Sequence, residues 1–331
     1  MIDQFIRAYR NKTVAVTGAG GYLAAVVIDE LRKTPAHILR VSRRDLAPLP
    51  GTETIRADVR ESDCWQEIVS KADVIFHLAG NTSMYAAARN PSDSLSSTVL
   101  PITQLVAAAQ AVGHKRRVVF ASTATVYGLT DVVPVGESAD TKPVTNYDLH
   151  KLFAEKQLEL ATQKGILDGV SLRLANVYGA SSSHSSSDDR GVLNKIAIMA
   201  LQGRNLKLFG DGDHLRDYVH IDDVARAFMA AGKAEDMAGK SFNVGTNRGI
   251  TVREAFRLVA DRVATVTGKR VSIESIPWPE GADSIESRNF VADIAGFTKA
   301  TGWYPMISLN VGVDMMIESF SRSLKSNSEA P

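Results

Sequence analysis

Short apolar runs and longer amphipathic runs alternate along the first half of this chain. Thr13–Thr17, Ile38–Ser42, Val74–Leu78, Arg117–Ser122 and Val170–Leu174 carry the Val, Ile, Leu and Phe content that predicts strands. Between them, apolar residues at helical spacing predict helices over Tyr22–Arg32, Thr98–Val112 and Tyr147–Lys164. Such alternation argues for a parallel sheet with helices on both faces. The runs Val-Ile-Phe-His-Leu and Arg-Val-Val-Phe-Ala-Ser are nearly unbroken, which suits strands covered on both sides.

After Tyr178 the pattern changes. Ser181 to Asp189 is small and polar and reads as a flexible loop, with His184 as a solvated loop residue. A helix over Val192–Gln202, a strand over Leu206–Phe209 and the turn Gly210-Asp211-Gly212 follow. Ser241–Val244 reads as a strand returning to the main sheet, followed by a helix over Val252–Thr267. The tail from Pro277 is rich in Trp, Pro and Gly.

Composition narrows the class. At 331 residues, 44% apolar and 23% charged, the chain can bury a large core without staples. Its 38 basic and 37 acidic residues nearly cancel, so charge gives no reason to expect nucleic acid or an anionic membrane as partner. One cysteine, Cys64, excludes an internal disulfide and a cysteine-rich metal site, and reads as a small buried residue. No secretory pattern opens the chain and no apolar stretch approaches the roughly eighteen residues of a membrane span, so a cytoplasmic location is expected and no metal.

Val14 to Ala24 reads as strand, glycine-rich turn and helix start. Gly18, Gly20 and Gly21 let the backbone bend and approach a pyrophosphate, while Tyr22 and Leu23 open a helix whose N-terminus favours an anion. The usual Gly-x-Gly-x-x-Gly spacing fails at Leu23; Gly18, Gly21 and Ala24 give a three-residue spacing instead. A glycine cluster alone could be only a turn; its place after the first strand makes it a dinucleotide signal. The second strand ends in Ser42-Arg43-Arg44, where NAD sites carry a carboxylate for the ribose hydroxyls and NADP sites an arginine for the 2′-phosphate. NADP is therefore preferred over NAD, although two solvated arginines on a turn is the plainer reading. Asp58 stands where a third strand should end and could accept from the adenine amino group, or simply cap a turn.

The fold class expected is α/β: a Rossmann-type doubly wound parallel sheet with a smaller C-terminal α/β substrate lobe. Residues 1–178 form the dinucleotide-binding domain, completed by about 215–265; residues 179–214 and 266–331 form the lobe.

Tyr147 and Lys151 lie four apart at the start of a predicted helix, with Asn146 available as N-cap, so phenol and ammonium share one face. A free phenol, with a pKa of about 10, is a poor base at neutral pH; lowering it by ~3 units takes roughly 4 kcal/mol, which a fixed ammonium can help supply. Ala121 to Gly128 ends the preceding strand and offers hydroxyls to a substrate oxygen. Ser122 and Thr125 compete there, each also a plausible strand-end cap, and Tyr127 reads as structural.

Together these residues resemble the extended short-chain dehydrogenase/reductase superfamily, in its NAD(P)-dependent nucleotide-sugar epimerase/dehydratase branch. The resemblance runs from about Lys12 to Phe320. It rests on Thr17-Gly18-x-x-Gly21-x-x-Ala24, Asp58-Val59, His77-Leu78-Ala79-Gly80, Ser122 to Gly128, Tyr147-x-x-x-Lys151, Leu172-Arg173-x-x-Asn176-Val177-Tyr178-Gly179 and Phe209 to Ala225. It implies Tyr147 as acid/base, Lys151 as its electrostatic partner and ribose ligand, and Thr123 as partner of the substrate hydroxyl. It also implies cofactor contacts along Val59, Leu78, Ala79 and Gly80, and substrate contacts from Asn176, Arg216 and Arg288. Plainer readings pair Arg216 with Asp217 or Asp213 and leave Arg288 on the surface. Dehydratases of this branch carry Asp-Glu after the threonine; Ala124-Thr125 makes 4,6-dehydration a poor expectation. The family's Asn near Thr98 and the Gly at Pro101 are replaced. A 4-epimerase is expected, with an NADPH-dependent 4-ketoreductase as alternative and a non-catalytic NADP sensor as a remote one. The family forms homodimers through a four-helix bundle, here built from Thr98–Val112 and Tyr147–Lys164.

Overall fold

The computed structural model describes residues 2–130, 132–186 and 191–328. Its strands are β1 (Thr13–Thr17), β2 (His37–Ser42), β3 (Thr52–Arg56), β4 (Val74–His77), β5 (Arg117–Thr123), β6 (Asp168–Leu174), β7 (Asn176–Tyr178), β8 (Leu206–Phe209), β9 (Leu215–Arg216), β10 (Tyr218–His220), β11 (Lys240–Val244), β12 (Ile250–Thr251) and β13 (Ile273–Ile276). Its helices are α1 (Ile2–Ala8), α2 (Tyr22–Arg32), α3 (Ser62–Lys71), α4 (Met84–Arg89), α5 (Pro91–Thr98), α6 (Leu100–Val112), α7 (Asn146–Gln163), α8 (Val192–Leu201), α9 (Ile221–Lys233), α10 (Val252–Thr267), α11 (Ala295–Thr301) and α12 (Leu309–Ser328).

Seven strands form one sheet in the order β11-β6-β5-β4-β1-β2-β3, and every pairing in it is parallel. The fold is the expected doubly wound α/β type. Strands β1, β4 and β5 are buried on both faces because each face meets its own core. One face packs Val27, Ile28 and Leu31 of α2 against Val224, Phe228 and Met229 of α9. The other packs Trp65 and Ile68 of α3, Ile102 and Leu105 of α6, and Ala154 and Leu158 of α7. A third core joins α8, α10 and α12 around Tyr178, Phe256 and Ile317. Thus α10 buries its apolar face away from the sheet.

Winding reverses between β1 and β4, so their C-terminal ends open a crevice. The loops that carry chemistry all leave the sheet at that edge. Helices α5 and α6 run almost continuously over Pro91–Val112, 22 residues long and apolar enough to cross a membrane by length and composition alone. No unbroken apolar stretch of that length occurs in it, because Ser, Asp, Thr, Gln and Pro interrupt its apolar residues. Ile102, Leu105 and Ala109 of this run are nonetheless buried in the sheet's core.

Candidate active site

A cleft of about 680 Å³ lies along the C-terminal ends of β1, β2, β4, β5 and β6. Gly18, Gly20, Gly21, Tyr22 and Leu23 line it from β1, Ser42, Arg43 and Arg44 from β2, and Asp58 and Val59 from the segment after β3. Leu78, Ala79 and Gly80 follow β4, Thr123 ends β5, and Tyr147 and Lys151 face in from α7. The structure therefore brings every proposed cofactor and catalytic residue to one cavity.

Backbone geometry explains the glycines. Gly18 has φ of +69°, and a Cβ there would meet the Ala79 backbone at 2.9 Å. A Cβ on Gly21 would meet the Gly18 carbonyl at 2.9 Å. Helix α2 starts with Gly21 as N-cap and no side-chain cap, leaving its positive end toward the cleft. Thr17 ties this turn to β4. Its hydroxyl accepts from the amides of Leu78 and Ala79, both at 3.2 Å, so it donates its own proton to Nδ1 of His77 at 2.8 Å. His77 is then the neutral Nε2-H tautomer. Burial pushes its pKa down to about 3. An open pyrophosphate cradle of this shape fits a dinucleotide cofactor.

At the adenosine end the arrangement is mixed. The Ser42 hydroxyl accepts from the Arg44 amide at 3.1 Å. Asp58 accepts from the Arg60 amide at 3.0 Å and from its guanidinium at 2.6 Å, bonds that hold the turn while Asp58 still lines the cleft. That pairing holds the Asp58 carboxyl below its usual range. Arg43 lies 3.9 Å from Asp58 and is largely exposed. Arg60 was missed as a cleft residue; its signal was the Asp-x-Arg spacing after a strand.

The Ser181–Ser186 segment is laid down rather than loose. Ser186 donates to the Gly20 carbonyl from both its amide and its hydroxyl, each at 3.0 Å. His184 is mostly buried, with Nε2 3.2 Å from Asp29 of α2, which corrects its reading as a solvated residue. Ser187, Asp188 and Asp189, also assigned to the loop, lie outside the described residues.

The catalytic candidates meet at the end of β5. Helix α7 begins with a capping box between Thr145 and Asp148, so Thr145 is the N-cap in place of Asn146. The Thr123 hydroxyl lies beside the Tyr147 phenol and acts to lower its pKa. Thr123 in turn contacts the Thr125 hydroxyl at 2.9 Å. Ser122 is unavailable to substrate because it donates to buried Glu155. The Tyr127 hydroxyl donates to Asn243 at 2.8 Å, a structural bond.

Lys151 donates to the Ala121 carbonyl at 2.7 Å, and its ammonium lies 6.0 Å from the Tyr147 ring centre. Burial pulls Lys151 down to about 8 and pushes Tyr147 up to about 12. Desolvation therefore dominates at the phenol in the protein alone, whereas the expected lowering also counted on the cofactor's positive ring close by. A positive charge added beside the ring would act in the lowering direction.

Arg216 and Arg288 lie together, next to the catalytic end. Arg216 is buried and donates to the carbonyls of Leu215, Arg288 and, at 2.5 Å, Glu286. It pairs with neither Asp213, which faces Arg253, nor Asp217, which accepts from Thr246 and the Ala292 amide. Arg288 donates to the Ile285 carbonyl at 2.8 Å, and its Nε has no partner among the described residues. Burial and the like charge of Arg216 bring Arg288 down to about 10. Asn176 does not line the cleft; its amide donates to the Asp217 carbonyl at 3.0 Å.

Residues 14–245 match the model of the NAD dependent epimerase/dehydratase family. The chain belongs to that family. A UDP-glucose 4-epimerase of Azospirillum brasilense is 30% identical, over 98% of this chain and 95% of its own. The structure of a Thermotoga maritima UDP-glucose 4-epimerase with UDP-glucose is 26% identical, with a TM-score of 0.83 over 94% of this chain and 99% of that one. That of the Thermus thermophilus UDP-glucose 4-epimerase with NAD is 25% identical, with a TM-score of 0.80 over 93% and 99%.

Proposed function

We propose that the protein is a nucleotide-sugar epimerase acting at the sugar C4 through a transient 4-keto sugar. The observation that carries this is the convergence of Tyr147, Lys151 and Thr123 at the strand ends that line the dinucleotide cleft. Tyr147 takes the proton of the sugar 4-hydroxyl and later returns it, while Thr123 holds that oxygen in line. Bound NAD(P) would supply the hydride acceptor and donor, and a positive ring near the phenol. Lys151 adds its ammonium, and Arg216 and Arg288 exchange their carbonyl partners for the diphosphate of the substrate. Asn176 is proposed to contact the sugar once it is bound.

The Azospirillum, Thermotoga and Thermus relatives are all UDP-glucose 4-epimerases, which supports this reading. The bonds from Ser186 to Gly20 also favour it over a ketoreductase, since a reductase must release its cofactor each turnover. NADP preference is retained as part of the proposal on Arg43 and Arg44, though the Thermus relative was solved with NAD. Incubating the protein with UDP-sugars and both cofactors tests all of this. Interconversion without net cofactor consumption is expected; stoichiometric NADPH oxidation would establish the reductase instead. Arg43→Ala should cut any NADP-over-NAD preference about tenfold, and an unchanged ratio removes that part.

A homodimer completes the proposal. Phe153 and Leu160 of α7 and Leu95 of α5 are exposed at 45%, 51% and 45%, a face that pairing of α6 and α7 across two copies would cover. Sedimentation at monomer mass would overturn it.

A further inference from the structure

Tyr147, Lys151 and Glu155 form one stripe of α7, spaced four residues apart. The last three residues of β5 meet them one each. Thr123 lies beside Tyr147, the Ala121 carbonyl accepts from Lys151 at 2.7 Å, and the Ser122 hydroxyl donates to Glu155. Glu155 has further anchors on two more strands. Arg173 of β6 grips it with a fork of bonds at 2.7, 3.1 and 3.2 Å, and Ser241 of β11 donates at 3.2 Å. The Glu155 and Arg173 side chains are 1% and 6% exposed.

A buried ion pair is a weak stability device, because desolvation offsets the attraction. What this one supplies is geometry. Its carboxylate oxygens are satisfied from three strands, so α7 cannot slide without stranding them. A shift of one residue along a helix is about 1.5 Å, enough to break the bond from Lys151 to the Ala121 carbonyl and carry Tyr147 away from Thr123.

We propose that Glu155 is the positioning residue of this centre: clamped by Ser122, Arg173 and Ser241, it sets the register of α7 that places Tyr147 and Lys151. This rests on Tyr147 and Lys151 being the acid/base pair. The charged and titratable groups facing Lys151 are Tyr147 and Glu155 on its own helix and His77 on β4, with Arg173 of β6 behind Glu155. The Phe120 ring of β5 covers the ammonium at 4.7 Å. Burial lowers Lys151 to about 8 while Glu155 raises it, so neutralising Glu155 lowers it further.

The test is the pH dependence of kcat in the Glu155→Gln holoenzyme with its dinucleotide bound. The alkaline limb should move down by about one pH unit, with KM within roughly twofold. A profile that superimposes on the parent's overturns the proposal. Ser122→Ala keeps both buried charges and cuts only the strand anchor. It should lower kcat about tenfold with the pH limb in place. If Glu155→Gln does not accumulate, Ser122→Ala decides alone, and kcat within twofold of the parent overturns the clamp. Tyr147→Phe separates the two readings. Full turnover there sinks the acid/base assignment, whereas an inactive Tyr147→Phe with an unmoved Glu155→Gln profile sinks only the role of Glu155.

Discussion

The two ends of the candidate site are built on opposite plans. At the cofactor end the backbone is bent open: Gly18 at φ +69°, an uncapped α2 terminus, and a Thr17–His77 bond holding the β1 and β4 loops in place. At the proposed substrate end the guanidinium groups are occupied by their own chain, Arg216 and Arg288 donating to carbonyls of residues 285–288. One end is a preformed cradle. The other must exchange internal bonds for external ones, so part of its binding free energy goes into rearrangement. The contrast teaches where specificity and where affinity should be sought.

Substitutions at the two ends should therefore behave differently. The largest effect belongs to the point where they meet: Tyr147→Phe should lower kcat by about 10³-fold with little change in KM, measured by steady-state kinetics. Gly18→Ala comes next, because a Cβ would lie 2.9 Å from the Ala79 backbone at a left-handed φ. It should weaken dinucleotide binding at least about a hundredfold and cost roughly 1–2 kcal/mol of stability, read by titration calorimetry and by denaturation. Arg288→Ala should raise KM for the sugar nucleotide about tenfold or more. Its melting temperature should hold or rise, since the change relieves the like charge of Arg216; a large fall would mean the two ends are not built differently. The smallest effect concerns His77. Its imidazole titrates at about 3 when folded against 6.5 ordinarily, so between those values the unfolded chain binds a proton that the folded one refuses. Stability thus falls as pH drops from 6.5 toward 3, and His77→Gln should flatten that slope in acid denaturation.

The cofactor end was legible in the sequence because its requirements are local. A glycine turn between a strand and a helix states its own geometry, and β1, α2, β8 and α10 match their expected bounds residue for residue. The substrate end was harder to read, since Arg216 and Arg288 are 72 residues apart and their carbonyl partners belong to a turn that no periodicity announces. The Ser181–Ser186 segment misled for the opposite reason. Small polar residues usually mark a loose loop, yet here they supply hydroxyls and amides that bind the Gly20 carbonyl. For Tyr147, helical spacing shows who is near Lys151 and says nothing of how dry the site is, which only the fold reveals. Glu155 escaped notice although it follows Lys151 by one more turn; only the sheet reveals that Arg173 and Ser241 converge on it.

Strand β11 carries a consequence for how the chain can be made and cut. It pairs with β6 along the register Val170–Leu174, yet it is encoded far downstream, at Lys240–Val244. Until it emerges, β6 is an open edge of unpaired amides and carbonyls with an apolar row beside it, a template for pairing with other chains. During synthesis that exposure lasts for about seventy residues, at ribosomal rates several seconds or more. A fragment ended near Tyr178 would keep the glycine turn and the Tyr-Lys pair but live permanently with the bare edge, so it should aggregate where the full chain does not.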